Sequence, residues 1–124
     1  IQAAIDAARL SCERLIVVFQ PHGYGPTEFL RDDFISAFAG KLLPVDTLYM
    51  PEIFYAGGTA NKRISSKEII KELKDKGINA FFIPERQDII TEIKQRAIPD
   101  DGILVMGARD DSLTDLCHAI LNRL

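Results

Sequence analysis

The run Leu15-Ile16-Val17-Val18-Phe19 constrains the fold more than any other feature of the chain. Five consecutive apolar residues, mostly β-branched and with no polar alternation, describe a strand buried on both faces. Parallel sheets with helices on both sides supply such strands. Three further strands are expected, at about residues 46–50, 80–83 and 103–106.

Helical spacing separates these runs. Ile1, Ile5, Ala8 and Cys12 mark one face of an opening helix. Thr27 is the predicted cap of a second, with Leu30, Phe34, Ala37 and Phe38 facing inward. Ser65-Ser66-Lys67-Glu68 has the form of a capping box, in which Ser and Glu satisfy backbone donors reciprocally. The helix it opens carries Ile69, Ile70 and Leu73 and is expected to stop at Gly77. A fourth helix bears Ile89, Ile90 and Ile93. A fifth starts at a weaker box, Ser112 with Asp115, and carries Leu113, Leu116, Cys117, Ile120, Leu121 and Leu124. Phe81 and Phe82 are expected in the core, and Lys71, Lys74, Asp75 and Lys76 on a solvated helix face.

Strand and helix thus alternate four times, which implies right-handed crossovers onto a parallel sheet. The expected fold is α/β, a Rossmann-like three-layer α/β/α arrangement with strand order 3-2-1-4. In that order the chain reverses direction between strands 1 and 4. Open α/β sheets bind ligands at such a reversal, outside the carboxyl ends of the strands.

The 124 residues suit a single domain, 1–124, with a core of its own. Hydrophobic residues at 47% and charged residues at 27% exclude a disordered tail. No apolar run approaches the roughly 20 residues of a membrane span. A net charge of -3 argues against a generic nucleic-acid partner. Cys12 and Cys117 read as small core residues in a reducing compartment, the alternative being a disulfide or metal pair, and His22 and His118 lack the spacing of a zinc site. The chain opens Ile-Gln-Ala-Ala, without an initiator Met or signal pattern, and reads as a piece of a longer protein.

Four loops meet at the carboxyl end of the expected sheet: residues 20–27, 51–65, 84–88 and 107–111. The first and last flank the reversal and hold Gln20, His22, Tyr24, Arg109, Asp110 and Asp111. His22 is a proton carrier, an anion ligand or a turn residue. Gly23 and Gly25 would let backbone approach a phosphate at a helix start. However, neither Gly-x-Gly-x-x-Gly nor Gly-Lys-Ser/Thr occurs, which disfavours an independent nucleotide site. Arg109 is a carboxylate clamp or a surface ion pair. The long loop carries Tyr55, Asn61, Lys62 and Arg63.

The segment Arg14-Leu-Ile-Val-Val-Phe-Gln-Pro-His22 resembles a signature in the C-terminal domain of the Mur ligases, in particular their L-alanine-adding branch. Asp32-Asp33-Phe34, Phe54-Tyr55-Ala56-Gly57-Gly58 and Gly107-Ala108-Arg109 resemble later family motifs, in the family's order. The resemblance covers nearly the whole chain. It implies an ATP- and Mg²⁺-dependent ligase of peptidoglycan synthesis that joins an amino acid to a UDP-muramyl substrate. This chain is similar to the third, amino-acid-binding domain. The UDP-sugar and ATP domains, and a linker bearing a catalytic histidine, would lie upstream, so the piece alone is expected to be inactive. The family's extra strand beside strand 4 would also be missing, leaving strand 4 as an edge.

The departures from the family concern cations. Arginines that contact the amino-acid carboxylate in the L-alanine ligases are matched here by Gly23, Pro26 and Glu28, and a family Glu by Gly58. Arg109 or Arg31 is the expected replacement. The substrate-binding set implied is His22, Tyr24, Arg31, Tyr55, Lys62 and Arg109, with no metal ligand in this chain. Two other functions are a Mur-derived binding or scaffold domain without catalysis, and a free-standing nucleotide-binding domain.

Overall fold

A computed structural model of the chain describes residues 1–55, 64–107 and 111–124. Its elements are α1 (Gln2–Arg9), β1 (Leu15–Gln20), α2 (Tyr24–Lys41), β2 (Thr47–Met50), α3 (Ser66–Asp75), β3 (Ala80–Phe82), α4 (Arg86–Arg96), β4 (Gly102–Gly107) and α5 (Ser112–Arg123). The four strands are all parallel and lie in the expected order, β3-β2-β1-β4.

Every residue of β1 is buried, as its unbroken apolar run requires. Alternate side chains serve different layers. Leu15, Val17 and Phe19 join Ile5, Ile35, Phe38, Ile69, Ile70 and Leu73 beneath α1, α2 and α3. Ile16 and Val18 join Tyr49, Ile89, Ile90, Ile93, Leu116 and Ile120 beneath α4 and α5. The chain changes layer when it crosses from β3 back to β4, which produces the three-layer fold.

Local signals succeed where they are self-contained. Ser65 caps α3, its Oγ accepting the Lys67 amide at 3.2 Å. Past the helix, Gly77 adopts φ +86°, with the Gly77 amide bonded to Lys74 O and the Ile78 amide to Leu73 O. That double bond is the Schellman ending, and glycine supplies the left-handed residue at little steric cost.

Other expectations need correction. Thr27 does not cap α2. The helix starts three residues earlier, after Gly23 at φ +80°, and the Thr27 hydroxyl donates back to Gly23 O at 2.6 Å. The buried face of α2 is Thr27, Ile35 and Phe38, with Phe34 only partly covered. Cys12 lies beyond the end of α1, where its thiol donates to Ala8 O, although it does pack on the core. Ser112 does not cap α5; its oxygen accepts a bond from Arg86 instead. Phe81 and Phe82 are half-buried on the edge strand β3. Leu121 of α5 and Leu124 just beyond it are 68% and 60% exposed, so the apolar stripe outruns the sheet beneath it. Among the described residues β4 pairs only with β1, which leaves it as an edge.

The amino end of the sheet is locked by two ion pairs. Asp46 is buried between β2 and α1. Its carboxylate takes bonds from the Arg9 guanidinium and from the Leu15 and Leu43 amides. Burial pushes this carboxyl up, but the Arg9 bonds, the two amides and the Arg9 charge outweigh it and hold it below the usual carboxylate range. Arg14 makes a two-pronged pair with Asp101, at 2.9 and 2.7 Å, just before β4.

Candidate functional site

At the opposite end, β1 finishes in a buried polar residue. Gln20 is 3% exposed, and a buried amide needs partners. Its Nε2 donates to Pro21 O and to Glu52 O, both at 2.9 Å. Its Oε1 accepts Arg86 Nε at 3.0 Å. Arg86, the first residue of α4, also donates from Nη1 to Ser112 Oγ at 2.6 Å. One amide and one guanidinium therefore tie together the ends of β1 and β2 and the starts of α4 and α5.

Aromatic rings sit on this network. The Arg86 guanidinium lies 5.9 Å from the Phe54 ring centre. His22 stacks on the same ring at 4.8 Å with planes 30° apart. Phe54 is held by the backbone, its amide donating to Pro21 O and its carbonyl accepting the Gly23 amide. Tyr24, the first residue of α2, meets Tyr55 edge-on at 5.6 Å. Behind them Glu52 organises the start of α3, accepting the Ser65 hydroxyl and the Ser66 amide. Glu52 thus ties the end of β2 to the first turn of α3.

The structure brings His22, Tyr24 and Tyr55 together at the carboxyl end of the sheet. It does not bring Arg31 there. Arg31 lies seven residues into α2, roughly 10 Å along the helix from its start. Its guanidinium pairs with Glu72 of α3 and with Asp32. The bond to Glu72 leads the causes that raise its pKa above the ordinary value. Lys62 and Arg109, together with Ala56, Gly57, Gly58, Asn61, Arg63, Ala108 and Asp110, lie outside the described residues.

Arg86 is the cation that local pattern did not single out. It belongs to one of the four loops selected, but its partners are 66 and 26 residues away, and no local spacing announces such contacts. The polar residue closing the apolar run, Gln20, was the available signal. A buried amide at the carboxyl end of a central strand demands partners from neighbouring loops.

Among the described residues no group of three His, Cys, Asp or Glu side chains is placed to hold a metal ion. No helix among them is long and apolar enough to cross a membrane. The arrangement offers a half-buried guanidinium and an imidazole against an exposed phenylalanine, with two tyrosines in contact beside it.

Comparison with known proteins gives the family. Residues 1–109 match the family described as Mur ligase, glutamate ligase domain. The UDP-N-acetylmuramate–L-alanine ligase of Acetivibrio thermocellus is 33% identical over 111 residues, covering 89% of this chain and 23% of that protein. The enzyme of the same name from Pelotomaculum thermopropionicum is 36% identical over 112 residues, again covering 89% and 23%. The one from Agrobacterium fabrum is 32% identical over 110 residues, with 87% and 22% covered. The chain therefore spans about a quarter of the length of these relatives.

Proposed function

The chain belongs to the Mur ligase family, matching its glutamate ligase domain, and from that premise we propose that it is the amino-acid-binding, C-terminal domain (residues 1–124) of a peptidoglycan ligase. The observation that carries this is the gathering of His22 and Arg86 on Phe54, with Tyr24 against Tyr55 beside them, at the carboxyl end of the sheet. In an open parallel sheet that position is where ligands bind. The parent enzyme joins an amino acid to a UDP-N-acetylmuramate precursor in the cytoplasm.

ATP and Mg²⁺ act with the rest of the parent protein. The chain has no Gly-Lys-Ser/Thr phosphate loop. Bound ATP would supply phosphoryl transfer to a carboxylate. This domain's part is to hold and orient the amino acid whose amine attacks. Orientation of that kind lowers a barrier by converting an encounter into an intramolecular step. Alone, the domain is inactive and binds neither ATP nor Mg²⁺ tightly.

The test is phosphate release by the full-length parent protein with ATP, Mg²⁺, UDP-N-acetylmuramate and each of the common amino acids in turn. Release that requires one amino acid and the UDP-sugar together supports the proposal. Absence of release with every amino acid, from protein shown to be folded, favours a binding or scaffold domain instead.

A further inference from the structure

We propose that the free edge of β3 is a docking site for an extended, acidic segment of a partner protein, taken up as an added strand. The inference is independent of the ligase reading, because β3 lies at the opposite edge of the sheet from β4. Backbone supplies the first part of the site. Among the described residues β3 pairs only with β2. Asn79 O accepts the Leu48 amide, and the Ile83 amide donates to Met50 O. Successive residues of a strand turn these groups to opposite sides, so those of Ala80 and Phe82 point away from β2. They form a short open ladder of the kind that accepts an added strand.

Side chains supply the second part. Lys67, Lys71 and Lys74 have the spacing that places residues on one face of α3, and all three are exposed. With Ile70 and Phe82 they line a groove whose lining holds one carboxylate, Glu68. None of these lysines forms an ion pair among the described residues. Glu72, on the neighbouring face of α3, is turned to Arg31 of α2. Lys74 also lies 5.4 Å from the centre of the half-buried Phe81 ring. Arg96 of α4 lies 5.2 Å from the same ring while pairing with Glu92. Because α3 and α4 cover opposite faces of the sheet, positive charge wraps this edge from both sides. An added strand aims alternate side chains at the two faces. Acidic ones would meet the lysines on one face and Arg96 on the other, and an apolar one would enter the groove beside Phe82. A second copy of β3 would bring like charges against these, so the lysines disfavour self-pairing and leave an acidic strand as the complementary partner.

The experiment measures binding to the full-length parent protein, without ATP, by fluorescence anisotropy. The probe is a labelled, end-blocked peptide of alternating glutamate and valine, about eight residues long. Wild type should bind it about tenfold or more tightly than a lysine–valine peptide of the same length. Raising salt from about 0.05 to 0.5 M should weaken it by about the same factor. Lys67→Gln, Lys71→Gln and Lys74→Gln combined should also cost about tenfold, with thermal unfolding confirming the fold. Should that variant be unfolded, Lys71→Gln alone must still weaken binding. N-methylation of the peptide at alternate residues keeps its charge and blocks strand pairing, so one of the two phases should abolish binding. Equal binding by both methylated phases and the parent peptide overturns the proposal, as charge attraction alone would then suffice. So does failure of wild type to bind the peptide, or full affinity in the folded lysine variants. Tighter binding of oligouridine or of phosphatidylserine vesicles than of the peptide also overturns it, in favour of a nucleic acid or a membrane surface.

Discussion

The two ends of the sheet use arginine in contrasting ways. At the amino end, Arg9 and Arg14 each close a two-pronged pair with a carboxylate from another part of the chain, Asp46 and Asp101. Both carboxylates are almost completely covered, with 0% and 4% of their side chains exposed. At the carboxyl end, Arg86 is oriented by an amide, a hydroxyl and an aromatic ring. The first arrangement consumes charge to fasten the loops that start β1, β2 and β4. The second uses a guanidinium to join the end of β1 to the starts of α4 and α5. The difference teaches that a guanidinium's partners, more than its presence, decide which elements it fastens together.

The sharpest way to break this comparison is to remove the anion at the locked end. Asp46→Ala should cost about 3–5 kcal/mol, because it strands Arg9 and the amides of Leu15 and Leu43 together. Urea unfolding at neutral pH measures this. A loss below about 1 kcal/mol would show the lock to be ornamental.

Acid should act on the same carboxylate. Its folded pKa lies below the ordinary 3.8, so its contribution is complete above that value. It is lost as pH falls from there through the folded value. Unfolding series between neutral pH and pH 2 should therefore show Asp46→Asn to be less stable at neutral pH. Its further loss in acid should be shallower than that of wild type. Parallel curves would contradict the assignment.

At the carboxyl end, Gln20→Leu should cost about 2 kcal/mol through the orphaned Pro21 and Glu52 carbonyls. It should also remove the Oε1 partner of Arg86 while the fold survives. An unchanged urea midpoint would contradict this role for Gln20.

A smaller effect is expected at the start of β4. A Cβ on Gly102 would overlap Cys12 Sγ and crowd Leu15. Gly102→Ala should cost about 1–3 kcal/mol, and Cys12→Ala should recover part of it when the two are combined. Additive losses in a denaturation cycle would rule out that contact as the cause.

The smallest change is expected between the two ends. The Tyr49 hydroxyl is buried without a protein partner among the described residues, and burial raises its pKa above the ordinary value. Tyr49→Phe should be neutral or stabilising by up to about 1 kcal/mol, read as the shift in melting temperature.

Much of the fold was legible because its signals are local and periodic. The run at Leu15–Phe19 demanded a two-sided cover, and the spacing of Ile69, Ile70 and Leu73 or of Ile89, Ile90 and Ile93 pointed each helix inward. Ser65 and Gly77 announced the limits of α3 because caps depend on adjacent backbone. Thr27 and Ser112 misled for the complementary reason. Each has the side chain of a cap, but Gly23 starts α2 earlier, and Arg86 holds the Ser112 oxygen. At the site, the motif Phe-Gln-Pro-His located His22 and Tyr24 correctly at the carboxyl end of β1. Arg31 looked equivalent to any other arginine until Glu72, 41 residues away, came beside it.

The sequence by itself determined the α/β class, the parallel order β3-β2-β1-β4 and the family. Hydrophobic period, crossover handedness and contiguous motifs are properties of neighbouring residues. Only the tertiary structure decided which partners each arginine takes. Electrostatic pairing depends on distances of a few ångströms between residues tens of positions apart. Those distances exist only after the sheet has brought the loops at its two ends together.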